Sequence, residues 1–479
     1  LQFPDQKMRP KEPDLSPDTD LFRNRLDNLL DQRHELYRLA DLIDWRSFDA
    51  AFGELYCADN GCPAKATRLM VGLQYLKHLY SVSDDAVVMR WVENPYWQYF
   101  CGEEYFQHEW PIDPSSMSRF RRRIGEVGCE KILQATVKAG LHSRTIKPAE
   151  LKRVTVDTTV QEKAVTFPTD SKLLNRSRER LVKLCRKHGV RLRQSYARKG
   201  PGALLMTNRY AHARQLRRMR RQVKRLKTYL GRVVRDIERK IAGEAGLQAI
   251  FADELALAKR LLKQQKTDRN KLYSLHAPEV ECISKGKAHK RYEFGVKASI
   301  AATNKSNFLV GGLALPGNPF DGHTLVDALE QVRRVTGSVI DEVFVDRGYR
   351  GHSESATAVY ISGQRRGIKT RRLKKSLKRR QAIEPVIGHL KSDGLLGRNY
   401  LKGREGDQMN VMLSCAGHNL RLILRRLRIF CRWLLGRIPG RYALERCQMR
   451  IEALLNRYLR WVTRQIILGT SPIPVLAAA

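Results

Sequence analysis

The chain has 479 residues, with 89 Lys and Arg against 49 Asp and Glu, a formal net charge of +40. That length exceeds one ordinary hydrophobic core and predicts about two to four domains, and that charge predicts a polyanionic partner, nucleic acid ahead of a membrane surface or a ribosomal site. No apolar run reaches the ~20 residues that span a bilayer, no secretory leader is expected, and the nine scattered cysteines do not read as a disulfide framework.

Residues 1–20 are rich in Pro, Asp and Lys and carry no apolar period, which predicts a disordered lead. From 21 to 147 the pattern is helical. Apolar residues recur at helical spacing in His34–Trp45, in Leu69–Leu76 and in Asp84–Val92, the last after a serine-rich start. Cys57 and Cys62, the closest cysteine pair, lack two further zinc ligands at suitable spacing and read as buried thiols. In Pro111–Ile124, Asp113 or Ser115 is a good N-cap, and Met117, Phe120 and Ile124 fall on one apolar face. Arg119, Arg121, Arg122 and Arg123 crowd the other faces. A short capped helix with an arginine face predicts the second helix of a helix-turn-helix-like DNA-binding domain. The plainer reading, a solvated basic face, loses ground in so basic a chain.

Val154-Thr155-Val156 is a short strand that runs into Asp157. A charged helical insertion is then expected over 171–275. Leu216, Met219, Val223, Leu226, Leu230, Val233 and Ile237 alternate spacings of three and four, and Arg and Lys fill the positions between them. This helix is expected to pack against the helices read at Lys172–His188 and Phe251–Leu275, leaving a cationic stripe outward. Such a stripe holds phosphates without reading sequence; a simple spacer is an equally good reading.

The sheet resumes at Arg291–Ala301, with Phe308–Leu315 as a hairpin partner. A helix follows from Thr324 to about Val335, then the strand Val343-Phe344-Val345 ending in Asp346, then Arg347-Gly348-Tyr349-Arg350-Gly351 as a turn. A short strand at Ala358–Ile361 and a basic loop lead to Arg380–Lys391, which reads as a helix carrying Glu384. Pro385 requires this helix to start close to Glu384 or to kink there.

An acid at the end of a buried strand is held rigidly at the mouth of a sheet, where α/β folds form ligand crevices. Phosphodiester chemistry piles negative charge on the attacking and leaving oxygens, and two divalent cations roughly 4 Å apart stabilise it. Mg²⁺ prefers hard oxygen ligands, so Asp157, Asp346 and Glu384 are the candidate catalytic and metal-holding residues. Taken singly, Asp157 reads as a turn cap and Glu384 as a surface acid; three acids in the three expected places argue against coincidence. On a continuous helix Arg380, Glu384 and Lys391 share nearly one side, so Arg380 and Lys391 are candidates to hold substrate phosphates.

These segments resemble the bacterial insertion-sequence transposases of the IS-five-like branch, within the DDE superfamily. The likeness rests on Val154–Val160, Lys285-Gly286-Lys287 with Tyr292–Gly295, Gly317-Asn318-Pro319 with Asp321–Thr324, Val345–Gly351, Ala382–Lys391, Gly403–Asn410 and Asn419–Arg421. Arg380, Glu384 and Lys391 match the spacing of the family's third-acid motif, with Leu377 standing where that motif has Tyr. The resemblance, which spans roughly residues 21–427, implies a ribonuclease H-like mixed sheet with flanking helices, hence an α/β fold, beside the all-α N-terminal domain and the α-helical insertion. The catalytic domain is then expected from 148–170 and 276–428; the tail at 429–479 falls outside the likeness and is read as a basic helical extension. It also implies a DDE triad of Asp157, Asp346 and Glu384 holding two Mg²⁺ ions (Mn²⁺ substituting), cleavage at the ends of the element, and attack of the freed 3′-hydroxyl on target DNA. The implied partners are double-stranded DNA, as element ends and target, and a second copy of the chain in a homodimer or higher assembly. The implied setting is the bacterial cytoplasm at the nucleoid. A ribonuclease H-like nuclease that cleaves without joining, and a decayed relative that only binds DNA, are the rival readings.

Overall fold

The computed structural model describes residues 24–56, 63–265, 267–284, 291–364 and 370–435, with side chains to residue 428. The lead at 1–20, Cys57 and Cys62, the 285–287 stretch, most of the basic loop before Thr370, and the extension beyond residue 435 fall outside these residues.

The N-terminal helices are α1 (Leu26–Leu29), α2 (Glu35–Leu42), α3 (Arg46–Phe52), α4 (Thr67–Tyr80), α5 (Asp84–Glu93), α6 (Pro95–Phe100), α7 (Ser115–His142) and α8 (Pro148–Leu151). Their starts follow local chemistry. The His34 ring accepts from the Leu36 amide, the Ser83 hydroxyl from Ala86, and the Asn94 carbonyl oxygen from Trp97, each satisfying a free N–H of a first turn. The arginine-bearing part of α7 is short, and a second helical segment follows it across a kink. At Gly125 the backbone takes φ +60°, which only glycine adopts cheaply, and the chain re-enters the helix and continues to His142.

The strands are β1 (Arg153–Glu162), β2 (Glu281–Ser284), β3 (Tyr292–Thr303), β4 (Leu309–Leu315), β5 (Glu342–Val345) and β6 (Ala358–Ile361). They make one mixed sheet. β3 runs antiparallel to β1 on one edge and to β2 and β4 on the other, whereas β1, β5 and β6 are parallel neighbours. β2 adds a strand that the sequence does not announce. The remaining helices are α9 (Asp170–Lys187), α10 (Lys199–His212), α11 (Leu216–Ile241), α12 (Ala245–Lys263), α13 (Leu325–Thr336), α14 (Arg371–Arg379), α15 (Ile383–Ser392) and α16 (Gly403–Leu435). The break between α14 and α15 falls just before Glu384-Pro385, where the proline demands it.

One buried core runs from Phe48 and Trp91 of the N-terminal helices, through Val154, Ile300 and Val345 of the sheet, to Leu420 of α16. α16 packs on α4, α7 and β4. Helix α4 is buried on nearly every side, from Leu69 to Leu79, as a helix enclosed by others must be. The backbone of β4 on the side away from β3 is satisfied by side-chain amides. Asn419 exchanges two 2.8 Å bonds with Leu309, Gln331 bonds both polar groups of Gly312, and Gln408 accepts from Ala314.

The 171–275 segment holds α9 to α12 and has a core of its own, built on Leu174, Leu181, Leu230, Ile237, Phe251 and Leu261. The heptad stripe of α11 divides. Leu226, Leu230, Val233 and Ile237 are buried, whereas Leu216 is exposed and Met219 and Val223 are only half-buried. The core formed with α9 and α12 covers the C-terminal part of the stripe, and α10 is an additional partner of α11. The outgoing and returning chains meet at one ring: Phe167 and Tyr273 both pack on Phe294 of β3, with centroids 5.4 and 5.5 Å away.

Candidate active site

Register brings the first two acids together. β1 and β5 pair in parallel with Arg153 beside Glu342, Val154 beside Val343 and Thr155 beside Phe344. Two residues further along each chain stand Asp157 and Asp346, so the two carboxylates extend from neighbouring strands, which lie about 4.8 Å apart in any sheet. Asp157 Oδ1 accepts from the Thr158 amide at 2.8 Å. Asp346 caps a single 3₁₀ turn, Arg347–Tyr349, and its Oδ1 accepts from the Gly348 amide at 2.9 Å. Each side chain is thereby fixed by the backbone beside it.

Arg380 joins this pair to the third acid. Its side chain is 9% exposed. Nη1 lies 3.3 Å from Asp157 Oδ2, and Nη2 lies 3.8 Å from Glu384 Oε1. Glu384, on the first turn of α15, has a side chain 67% exposed. It is one guanidinium away from the strand acids and does not close on them. Among the described residues no three acid, His or Cys side chains converge on a single metal-sized point. Lys391 turns to the sheet, with Nζ 3.6 Å from Glu293 of β3. Leu377, in the place of the motif tyrosine, is half-buried on α14.

Two further residues belong to this neighbourhood. Asp321, just ahead of α13, accepts from Thr158 Oγ1 at 3.0 Å and pairs with Lys297 Nζ at 2.6 Å. Tyr349 is fully buried. Burial first, then the carboxylates of Asp157, Asp321 and Asp346, push its hydroxyl well above the usual phenol range. The sequence signal for Asp321 was slight: an acid after a Gly-Asn-Pro turn and before a helix reads as a cap.

The donor set fits a hard divalent cation. Asp157 and Asp346 offer hard carboxylate oxygens from adjacent strands. The buried hydroxyls of Tyr349 and Ser299 lie side by side near these acids, neither within hydrogen-bond length of a partner. Buried hydroxyls left in that state are costly, and cation-bound water is a partner they can use.

The arginine face is reduced from four to three. Arg121 is 2% exposed and points inward, where it donates to both oxygens of Asp84 (2.9 and 2.6 Å), to Gln74 and to Ser118. A guanidinium with these partners is structural and unavailable to DNA. Arg119 bonds Ser115 Oγ at 2.7 Å and is exposed, Arg122 is exposed, and Arg123 lies over the Tyr56 ring at 4.8 Å. On α11, by contrast, Arg217, Arg221, Lys224 and Arg232 are all exposed.

Cys101, Cys129, Cys185 and Cys415 are buried free thiols, and burial pushes Cys129 and Cys415 up to about 12, which leaves them inert. Among the described residues no helix is long and apolar enough to cross a membrane.

Two family models match the chain. A transposase domain covers residues 24–123, which include the arginine-bearing helix, and a transposase DDE domain covers residues 350–424, which include Glu384. The uncharacterized protein ORF8 in the nfe locus of Rhizobium meliloti is 55% identical over 208 residues, 43% of this chain and 100% of that protein. No solved structure matches the chain significantly.

Proposed function

Because the chain belongs to the insertion-sequence DDE transposases, we propose that it cuts double-stranded DNA at the ends of its element and joins the freed 3′-ends to target DNA. The IS-five-like branch is the one its motifs fit. The observation that carries this reading is the pair Asp157 and Asp346, each two residues past the last pair of the parallel β1–β5 ladder. β1 itself continues beyond Asp157 to Glu162 along β3, so this strand is longer than its sequence implies. The strand order β4-β3-β1-β5-β6, antiparallel through β1 and parallel from it, supports a ribonuclease H-like core.

In this reading Asp157 and Asp346 hold divalent cations, Mg²⁺ or Mn²⁺, with Glu384 as the third acid, tethered through Arg380. The cations supply an activated oxygen nucleophile and neutralise charge on the leaving oxygen. The chain supplies the rest. The backbone amides of Thr158 and Gly348 hold the two carboxylates in place. Arg380 and Lys391 are engaged with acids of the site: Arg380 links Asp157 to Glu384, and Lys391 pairs with Glu293 of β3. Arg119, Arg122 and Arg123 read the element ends from the N-terminal helices. The reaction is a direct displacement at phosphorus, so the protein forms no covalent intermediate. A homo-oligomer would bring two element ends together, and the cytoplasm at the nucleoid is where such a substrate lies.

Incubating the full chain and Mg²⁺ with duplexes carrying the element's terminal repeats and a supercoiled target tests the reading. Joined product is expected. Cleavage without joined product would favour a nuclease, and binding without either would favour a DNA-binding relative.

The four-helix insertion supplies sequence-independent affinity in this reading. Replacing Arg217, Arg221, Lys224 and Arg232 with Gln is expected to weaken binding to all duplexes alike. The slope of log affinity against log salt should fall by about 0.9 for each phosphate that the variant no longer neutralises. Binding titrations across a salt series check this, and an unchanged slope would return the insertion to the role of a spacer.

A further inference from the structure

Beside the Asp157–Asp346 pair the structure assembles a second charged pair that the three-acid scheme leaves unused. Asp321 Oδ1 takes both Lys297 Nζ and Thr158 Oγ1, and Thr158 directly follows Asp157. Its other oxygen turns toward Asp346. A Cβ placed on Gly348 would lie 2.8 Å from Asp321 Oδ2 and 3.1 Å from Asp346 Oδ1. The two carboxylate oxygens are therefore no further apart than those two distances combined, and only a residue without a side chain fits between them. Lys297, on β3, is nearly buried, with Nζ also 2.7 Å from the Pro319 carbonyl oxygen. A nearly buried ammonium needs a counter-charge, and Asp321 supplies one at 2.6 Å. The buried hydroxyls of Tyr349 and Ser299 adjoin one another nearby, and Tyr349 feels the charges of Asp157, Asp321 and Asp346 together.

We propose that Asp321 is a positioning residue of the catalytic centre. It cancels the charge of Lys297 and holds the Asp346 turn against β1, so that the cation site keeps its negative field. The inference rests on the cation-dependent reading above. Without the Asp321 charge, the Lys297 ammonium would act unopposed on a divalent ion held by Asp157 and Asp346. Two like charges in that environment repel strongly enough to be read as a change in affinity.

The test is Mn²⁺ binding to the full chain without DNA, followed by electron paramagnetic resonance, with thermal melting recorded for each variant. Asp321→Asn keeps the shape of the side chain and is expected to weaken Mn²⁺ binding by about tenfold. Lys297→Met alone is expected to tighten it. The double variant Asp321→Asn/Lys297→Met should recover most of the loss. A purely structural role for Asp321 would leave the double variant as weak as Asp321→Asn alone. Mn²⁺ affinity of Asp321→Asn within about twofold of wild type, while Asp157→Asn loses its binding, would overturn the role of Asp321 and leave the wider reading standing. Mn²⁺ binding to the wild type that ignores both Asp157→Asn and Asp346→Asn would overturn the wider reading, and this one with it.

Discussion

Asp157→Asn and Asp346→Asn are each expected to abolish DNA cleavage, by on the order of 10³-fold or more, while DNA binding stays close to wild type. The amide keeps the volume of the carboxylate, and its oxygen can still accept from the Thr158 or Gly348 amide that fixes the side chain. What it loses is the charge that holds a divalent cation. Gel-shift and cleavage assays run on the same preparations separate the two effects. Glu384→Gln is expected to behave likewise, although its carboxylate is exposed and reaches the others only through Arg380. Wild-type cleavage in any one of the three variants would remove that residue from the triad.

Arg121→Ala is expected to destabilise the chain by about 3 kcal/mol, because it empties a fully buried guanidinium site and leaves the largely buried Asp84 carboxylate with Lys77 alone of its two cations. Arg122→Ala, one residue along the same helix, is expected to stay within about 0.5 kcal/mol of wild type and to weaken binding to the element ends. Denaturant titration and gel shift together give opposite patterns for the two variants. The pair also makes a pH prediction. Burial alone would raise the Asp84 pKa, but hydrogen bonds and charge from Arg121 and Lys77 outweigh it and hold the group at about 2, below its ordinary 3.8. A folded-state value below the unfolded one stabilises above the unfolded pKa, and that stability is lost as pH falls through the folded one. The wild type should therefore lose this contribution between about pH 4 and pH 2, and a denaturation series over that window should show a steeper fall than in Arg121→Ala.

The strands that carry the first two acids were legible because their signals are local. Val154-Thr155-Val156 and Val343-Phe344-Val345 are apolar, β-branched or aromatic runs, and glycines beyond Asp346 force the turn. The break before Glu384 was legible from Pro385, whose effect on a helix is equally local. Arg121 was not. It differs from Arg119, Arg122 and Arg123 only in what lies opposite, and Asp84 is 37 residues away in sequence. The short arginine-bearing helix was legible, since it ends at the Gly125 kink; the second helical segment that continues to His142 was not. Asp321 escaped for a related reason. An acid ahead of a helix is ordinary, and its meaning comes from Lys297 and Thr158, which the sheet brings to it. In α11 the heptad spacing identified the helix but not how much of it is covered, because coverage depends on the neighbouring helices.

The meeting of Phe167 and Tyr273 on the Phe294 ring bears on the order in which the chain folds. β1 must find β3 across the whole insertion, and closing so long a loop as random coil is slow and entropically unfavourable. The four helices pack mostly on one another and have a core separate from that of the sheet. Once they collapse, their two ends stand side by side, and the long loop becomes a short compact bridge. The insertion is therefore expected to act as a folding clamp that carries β3 back to β1 near register, so substitutions in its own core should slow refolding of the sheet.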